Sequence, residues 1–309
     1  MKKKLLILGI LPLLALSSCG RGAKIEEAKA KEIASAIHTY NTKAEGQEDS
    51  PSGTDYKGFD MVMSMEGSSG TGENKKSETL KYKLTVNQDD ETRFEGKGTD
   101  GDEKIDFLLV IAKPEGKTDK VNYLKYYDNE AKEFKELAMP NGTTGNKEYN
   151  NYSMQMLVPA FMLAKFLDPQ PLMQKEKENE EHEIVINGDY LFDYDSLDEA
   201  KDFEENWEFY SKGDKNLTIV ASTKYKGQQT EFADETMLET SYEITYDKLI
   251  IKNVKCTAKS DLGNVVKMNL HVNAKKDAFK IELPSGWEDK ILPSSSTPLN
   301  SSEEPSSMA

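Results

Sequence analysis

Apolar residues recur at every second position over most of the chain, a pattern typical of strands with one buried face. In the first half this alternation begins with Phe59, Met61, Met63 and Met65 and continues through Leu80, Tyr82, Leu84 and Val86. Further strands are predicted near residues 93–97, 104–112, 121–127 and 133–137. Parallel crossovers need a dozen or more residues, and these connections are shorter, so we predict an antiparallel meander of about six strands.

Two segments depart from this period of two. Ala30, Ile33, Ile37 and Tyr40 recur at spacings of three and four, which predicts a helix over residues 24–41. Residues 152–167 are apolar at nearly every position from Met154 onward. A helix that is apolar all round is buried, and this one is too short to cross a membrane. Because proline fits best in a first turn, Pro159 predicts that the regular helix begins near Val158.

The last third is predicted to hold one more helix and a second strand meander. Ser196 and Glu199 form a capping-box pattern, which predicts a helix that continues to about Tyr210. Strands are predicted at residues 184–186, 217–221, 242–246, 249–258, 266–272 and 279–283. The Ser- and Pro-rich segment 291–309 cannot bury enough apolar surface to order itself. Its expected state is disorder.

The order of these elements indicates an α+β domain over residues 24–290. An antiparallel sheet with one apolar face must pack that face against another element, and a helix that is apolar on every side must be surrounded by other elements. We therefore predict that the helix at residues 153–167 packs against the apolar face of the sheet.

The first nineteen residues have the organisation of an export signal. Lys2, Lys3 and Lys4 precede an apolar run, and small residues lead into Cys19. The apolar run is too short for a permanent membrane span. The signal peptide is predicted to comprise residues 1–18, followed by a short tether at residues 19–23.

The charge of the chain excludes one class of partner. The formal net charge is -15, and loss of the three signal-peptide lysines lowers it to -18. Such a balance is unsuited to phosphate backbones, so no nucleic acid partner is predicted. The chain is expected to be a monomer.

The tetrapeptide that ends in Cys19, Leu-Ser-Ser-Cys, resembles the lipobox of bacterial lipoproteins. The resemblance implies that the Cys19 thiol carries diacylglycerol and that the new amino terminus often receives another acyl chain such as palmitate. Two or three acyl chains anchor a protein stably where one is marginal. The expected location is the extracytoplasmic face of a bacterial cell membrane. An unmodified cysteine beside an ordinary cleavage site is the alternative.

The element order of helix, meander, helical insertion and meander, ending in Phe279, Pro284 and Gly286, resembles the LolA/LolB superfamily of lipoprotein carriers and its relatives of the LppX type. The resemblance covers roughly residues 24–290. It implies a strongly curved antiparallel sheet, a half-barrel of about 10–11 strands covered by helices, whose concave face holds acyl chains. The segment 153–167 matches the lid of that family in position and character.

This resemblance predicts a cavity for a lipid or another apolar ligand between the sheet and the apolar helix. Methionine is unbranched and adaptable, as a surface that accommodates variable apolar shapes requires. The predicted lining residues are Met61, Met63, Met65, Met154, Leu157, Phe161, Met162 and Phe166. An ordinary core that uses methionine as filler is the alternative, and the sequence favours neither.

No pattern of catalytic or metal-ligating residues stands out. Cys256 lies on an alternating segment and fits a small buried residue better than a reactive thiol. The sulfur atoms of Met61, Met63 and Met65 would lie about 7 Å apart along a strand, which favours packing over a Cu(I) site. The three histidines show no metal-binding spacing. We predict no enzyme activity, no cofactor and no metal.

Two functions therefore remain open. The first is a membrane-anchored lipoprotein that binds a lipid or another apolar ligand. The second is a non-enzymatic surface protein with a solid core that contacts cell-wall material or other proteins through its acidic outer face. An envelope hydrolase, whose carboxylates can be distributed along the chain without a motif, is a third and weaker hypothesis.

Overall fold

The computed structural model describes residues 21–42, 56–69, 76–141, 146–173, 175–176, 185–186, 201–226 and 237–291. Cys19, Ser196, Glu199 and the tail from residue 292 lie outside these ranges. The predictions of a lipid anchor, a capping box and a disordered tail therefore stay predictions.

The described ranges contain two α-helices and fourteen strands. The helices are α1 (Glu27–Thr42) and α2 (Lys147–Leu167). The strands are β1 (Ala23–Ile25), β2 (Gly58–Ser69), β3 (Lys76–Asn87), β4 (Thr92–Asp100), β5 (Glu103–Ala112), β6 (Val121–Asp128), β7 (Glu133–Pro140), β8 (Lys175–Glu176), β9 (Val185–Ile186), β10 (Lys201–Ser211), β11 (Leu217–Lys226), β12 (Met237–Asp247), β13 (Ile250–Ser260) and β14 (Val265–Lys275).

Twelve strands form one open antiparallel sheet in the order β1-β10-β11-β12-β13-β14-β2-β3-β4-β5-β6-β7. Each meander runs in sequence order, and the pairing of β2 with β14 joins the two halves. At this join Met63 lies opposite Leu270 on one side and Tyr82 on the other. The predicted fold class, a curved antiparallel sheet covered by helices, is confirmed, with twelve strands in place of 10–11.

The topology brings both helices to the same face of the sheet, which we call the concave face. The chain passes through α1 on its way from the edge strand β1 to the central strand β2, and through α2 between the edge strand β7 and β10. Ile33 and Ile37 of α1 and Phe166 of α2 are buried in one cluster with Met61 and Met63 of β2. The predicted packing of the second helix against the sheet is therefore confirmed.

A smaller cluster lies on the opposite, outer face of β5, β6 and β7. Val110, Tyr123 and Ala138 are buried there beneath Ile281 of the C-terminal segment. The predicted strand at residues 279–283 is wrong, because this segment joins no ladder in the described structure. Since β14 is already paired on both sides, the segment cannot continue the meander and crosses the outer face instead.

The helix predicted from Ser196 to Tyr210 is also wrong, because residues 201–211 form β10. Trp207 lies opposite Ala221, and Phe209 lies opposite Ile219, in a pairing with β11. On its other side β10 pairs with β1. The alternation of Trp207 and Phe209, which match apolar neighbours across the sheet, overrides the local capping signal.

The two confirmed helices differ from their predicted limits. Helix α1 begins three residues after residue 24, because Ala23–Ile25 pairs with β10. Helix α2 begins at Lys147, so that Pro159 lies in its interior and not in its first turn. Within the described ranges, neither helix combines the length and the apolar character that a bilayer span requires.

Gly96 of β4 provides a test of this packing. A Cβ atom at Gly96 would lie 2.1 Å from Cε1 of Phe107. The Phe107 ring is buried and packs against Phe94 and Tyr152, so it cannot move aside freely. We expect Gly96→Ala to lower the free energy of unfolding by about 1–3 kcal/mol, measured by urea denaturation.

Gly67 of β2 is the matched control. Among the described residues, a Cβ atom there meets no atom within 4 Å beyond its chain neighbours, so Gly67→Ala should leave the free energy of unfolding nearly unchanged. Equal stability of the two variants would contradict the close packing of Phe107 over β4.

Candidate functional site on the second helix

The inner side of α2 is seated on the sheet by aromatic contacts at both ends. In the first half of the helix, the ring of Tyr152 lies 4.8 Å from that of Phe107 and 5.3 Å from that of Tyr126, measured between centroids. Near the C-terminal end, the ring of Phe166 lies 6.2 Å from that of Tyr242. These distances are typical of favourable aromatic pairs.

Hydrogen bonds fix the C-terminal end of α2, where the last carbonyl groups lack partners within the helix. The Tyr246 hydroxyl donates to the Phe166 carbonyl at 2.8 Å, and the Asn41 amide donates to the Leu167 carbonyl at 3.0 Å. Asp168 follows the helix, and its Oδ2 atom lies 2.5 Å from Nδ1 of His38. The end of α2 is thus tied to both the sheet and α1.

The N-terminal end of α2 is capped by Asn146, whose side chain accepts the Tyr149 amide hydrogen at 2.9 Å. This cap was missed in the sequence, although Asn is among the preferred N-cap residues and Glu148 in the first turn complements the helix dipole. Tyr149 and Tyr152, at a spacing of three, were missed with it. Their packing against the core explains why the helix extends beyond the apolar stretch.

The outer side of α2 carries an apolar stripe that faces solvent in the described structure. Met154, Val158 and Phe161, at spacings of four and three, are 63%, 45% and 69% exposed. The prediction that this helix is buried all round is therefore wrong. The sheet covers only the inner side, and in the described part of the chain the stripe keeps large exposed fractions.

The predicted cavity-lining residues are divided between these two sides. Met61, Met63 and Phe166 are buried at 1%, 0% and 1% exposure in the core cluster. Met65 and Met162 are partly buried against the same cluster, and Leu157 is also partly buried. Met154 and Phe161 lie on the exposed stripe. The structure thus places two of the eight residues on the exposed side of α2 and the other six in buried or partly buried positions. Ligand binding by these residues stays a prediction.

Burial shifts three ionisable groups beside α2 towards their uncharged forms. Burial raises the pKa of the Cys256 thiol, although hydrogen bonding with Tyr242 and the charge of Lys165 oppose the rise. Burial also raises the pKa of Tyr152, to about 12. Burial lowers the pKa of Lys165. Cys256 is a partly buried residue that packs against the core, and its thiol stays protonated at neutral pH.

The two described histidines, His38 and His271, lie on different elements, α1 and β14. His38 contacts Asp168, His271 is exposed on β14, and His182 lies outside the described residues. Among the described residues, no three His, Cys, Asp or Glu side chains are arranged to hold a metal ion.

Comparison with known proteins gives a distant structural likeness. No family model matches the chain, and no curated protein matches it. Among solved structures, the chain is similar to a DUF1329 family protein from Desulfovibrio piger, with 8% sequence identity and a TM-score of 0.22. The alignment covers 79% of this chain and 91% of that chain. The fold assignment rests on the strand pairing of this chain and not on this likeness.

Substitutions on the two sides of α2 should differ sharply in their effect on stability. Phe166→Ala removes a buried ring and should lower the free energy of unfolding by about 3–5 kcal/mol. Phe161→Ala is the matched control on the exposed stripe and should change it by less than about 0.5 kcal/mol. Chemical denaturation of both variants measures the difference. A large loss for Phe161→Ala would show that its ring is covered in solution.

Proposed function

We propose that the protein is an extracytoplasmic lipoprotein, anchored through Cys19, that binds a lipid or another apolar ligand against the outer side of α2. The exposed stripe of Met154, Val158 and Phe161 is the observation that carries this proposal. An acyl chain laid along the stripe would remove these side chains from water. The lipid on Cys19 would hold the protein at the membrane, and the exposed stripe would contact the ligand.

The energetic scale of the stripe suits a reversible ligand. Full burial of one large apolar side chain is worth about 1.5–3 kcal/mol, and a micromolar complex requires about 8 kcal/mol. Three side chains that are already partly covered supply several kcal/mol of this total. The stripe therefore contributes a large part of such an affinity and leaves the rest to neighbouring surface.

The outer side of α2 is a better site than the space beneath the helix. A ligand between α2 and the sheet would have to displace Phe166 and separate Met61 and Met63 from the helices that cover them. It would also break the bonds that Tyr246 and Asn41 make to the end of α2. Binding on the stripe requires none of these losses, and methionine adapts to chains of different shape.

A surface-interaction protein is the second candidate function. It is supported by the fully buried Met61 and Met63, which make the core solid where they lie, and by the polar outer face of the second meander. On β14 this face presents Lys267, Asn269 and His271 to solvent, so there it is polar but not acidic as the hypothesis expected. A partner held by such a face should bind less tightly as salt screens the charges.

Fatty-acid binding by the mature chain tests the first proposal. We expect the chain from residue 19, with Cys19→Ser, to bind a fluorescent fatty acid, and lipid extraction followed by mass spectrometry should recover co-purified lipid. Phe161→Asp should weaken fatty-acid binding about tenfold or more, because it places a charge in the apolar contact.

Phe134→Asp is the matched control, because Phe134 is also an exposed phenylalanine but lies on β7. It should bind fatty acid as the parent chain does. Absence of fatty-acid binding and of co-purified lipid, or equal weakening by both substitutions, would remove the lipid proposal and leave the surface-interaction function.

A further inference from the structure

A second candidate site lies on the outer face, where the C-terminal segment crosses the first meander. A cavity of about 1240 Å³ is bounded by the turn at residues 88–91, the loop at residues 113–120 and residues 280–291. A smaller pocket of about 230 Å³ adjoins it and shares Lys117 and Trp287. We call the two together the C-terminal groove.

A buried carboxylate holds the three walls of the groove in place. Glu91, only 6% exposed, accepts the amide hydrogen of Lys113 at 3.0 Å and that of Ile281 at 3.2 Å. It also accepts the side-chain amide of Asn87 at 2.7 Å, which in turn donates to the Phe279 carbonyl at 3.0 Å. Hydrogen bonds to the Glu91 carboxylate therefore join all three walls, so the groove does not need a ligand to hold its shape.

The electrostatic state of Glu91 agrees with this role. Burial alone raises the pKa of its carboxyl group, but the hydrogen bonds from Lys113, Ile281 and Asn87 more than offset burial and lower the pKa below its ordinary value. The carboxylate is ionised at neutral pH. Its oxygens accept three hydrogen bonds from the walls of the groove, which gives Glu91 a structural role.

Trp287 supplies a fixed aromatic surface in the groove. It lines both cavities and is partly buried against the outer cluster that contains Val110 and Tyr123. Burial against the cluster leaves part of the ring open to the groove. Because the side chain is already held against the cluster, contact between Trp287 and a ligand would cost little conformational entropy.

The rim of the groove carries both charge signs. Among the described residues that line the larger cavity, four are lysines and six are acidic. Lys113, Lys117 and Lys280 alternate with Glu115, Glu282 and Glu288, and all six are exposed. Such a rim offers many donors and acceptors, but it neither concentrates positive charge for a phosphate polymer nor is apolar enough for an acyl chain.

We propose that the C-terminal groove binds a neutral oligosaccharide. The C–H face of a sugar ring packs on Trp287, and its hydroxyl groups exchange hydrogen bonds with the lysine and glutamate side chains of the rim. The larger cavity exceeds the 300–1,000 Å³ typical of small-ligand sites, which gives room for more than one sugar ring. The groove lies on the face opposite α2, so this proposal does not depend on lipid binding.

A glycan array that carries neutral, phosphorylated and sulfated oligosaccharides tests the proposal. The probe is the fluorescently labelled mature chain with Cys19→Ser. Retention is expected on neutral oligosaccharides. Trp287→Ala should raise the dissociation constant of the best neutral glycan about tenfold, as the loss of an aromatic contact implies.

Because Trp287 also packs against the outer cluster, a second variant separates binding from folding. Lys280→Ala combined with Glu282→Ala removes exposed rim groups and should weaken glycan binding while the melting temperature stays unchanged. Trp207→Ala, on β10, is the matched control and should bind as the parent chain does. Retention only on phosphorylated or sulfated glycans, no retention at all, or unchanged binding in both groove variants would overturn the proposal.

Discussion

The pairing of β2 with β14 is the interaction on which the rest of the structure depends. Each strand is the inner end of one meander, and their eleven paired positions run from Gly58 and Lys275 to Ser68 and Val265. This ladder turns two sheets into one, with a single apolar face that continues across the join at Met63 and Leu270. Since one continuous apolar face must be covered, the two long connections cross it as α1 and α2.

The same constraint explains why α2 has two unlike sides. The helix forms a single layer over the sheet, so only the side that carries Tyr152 and Phe166 packs against other elements. The sequence nevertheless supplies apolar residues on the other side as well, and Phe161 remains exposed. A solvent-facing apolar stripe has a free-energy cost without a ligand or partner, which is the physical reason for proposing a ligand site there.

On the outer face, the C-terminal segment performs a different task. It leaves β14 after both edges of that strand are occupied, and it crosses to β5, β6 and β7. Glu91 and Asn87 provide the hydrogen bonds that a ladder would otherwise supply. The groove beside Trp287 lies between this crossing segment, the turn that holds Glu91 and the loop after β5.

Alternation along the chain predicted most of the sheet correctly because one face of each strand is buried, as at Met61 and Met63. It failed where non-local pairing decides the structure. Residues 201–211 form a strand because β1 and β11 flank them, and the capping pattern that precedes them carries no information about that pairing. Residues 279–283 alternate like a strand, yet their hydrogen-bond partners are the side chains of Glu91 and Asn87. Composition was enough to single out α2 as part of the candidate site. It does not show which side of α2 faces the sheet, and that packing decides that Phe166 is buried and Phe161 is exposed.

Thiol accessibility along α2 tests the central claim most directly. Single cysteines at Phe161→Cys and Leu163→Cys, in a mature chain with Cys19→Ser and Cys256→Ser, are treated with a maleimide with and without oleate. We expect Phe161→Cys to react nearly as fast as a free thiol and to be slowed by oleate, while Leu163→Cys stays protected in both conditions. Protection of Phe161→Cys without oleate, or no effect of oleate on its rate, would contradict an open apolar stripe that binds acyl chains.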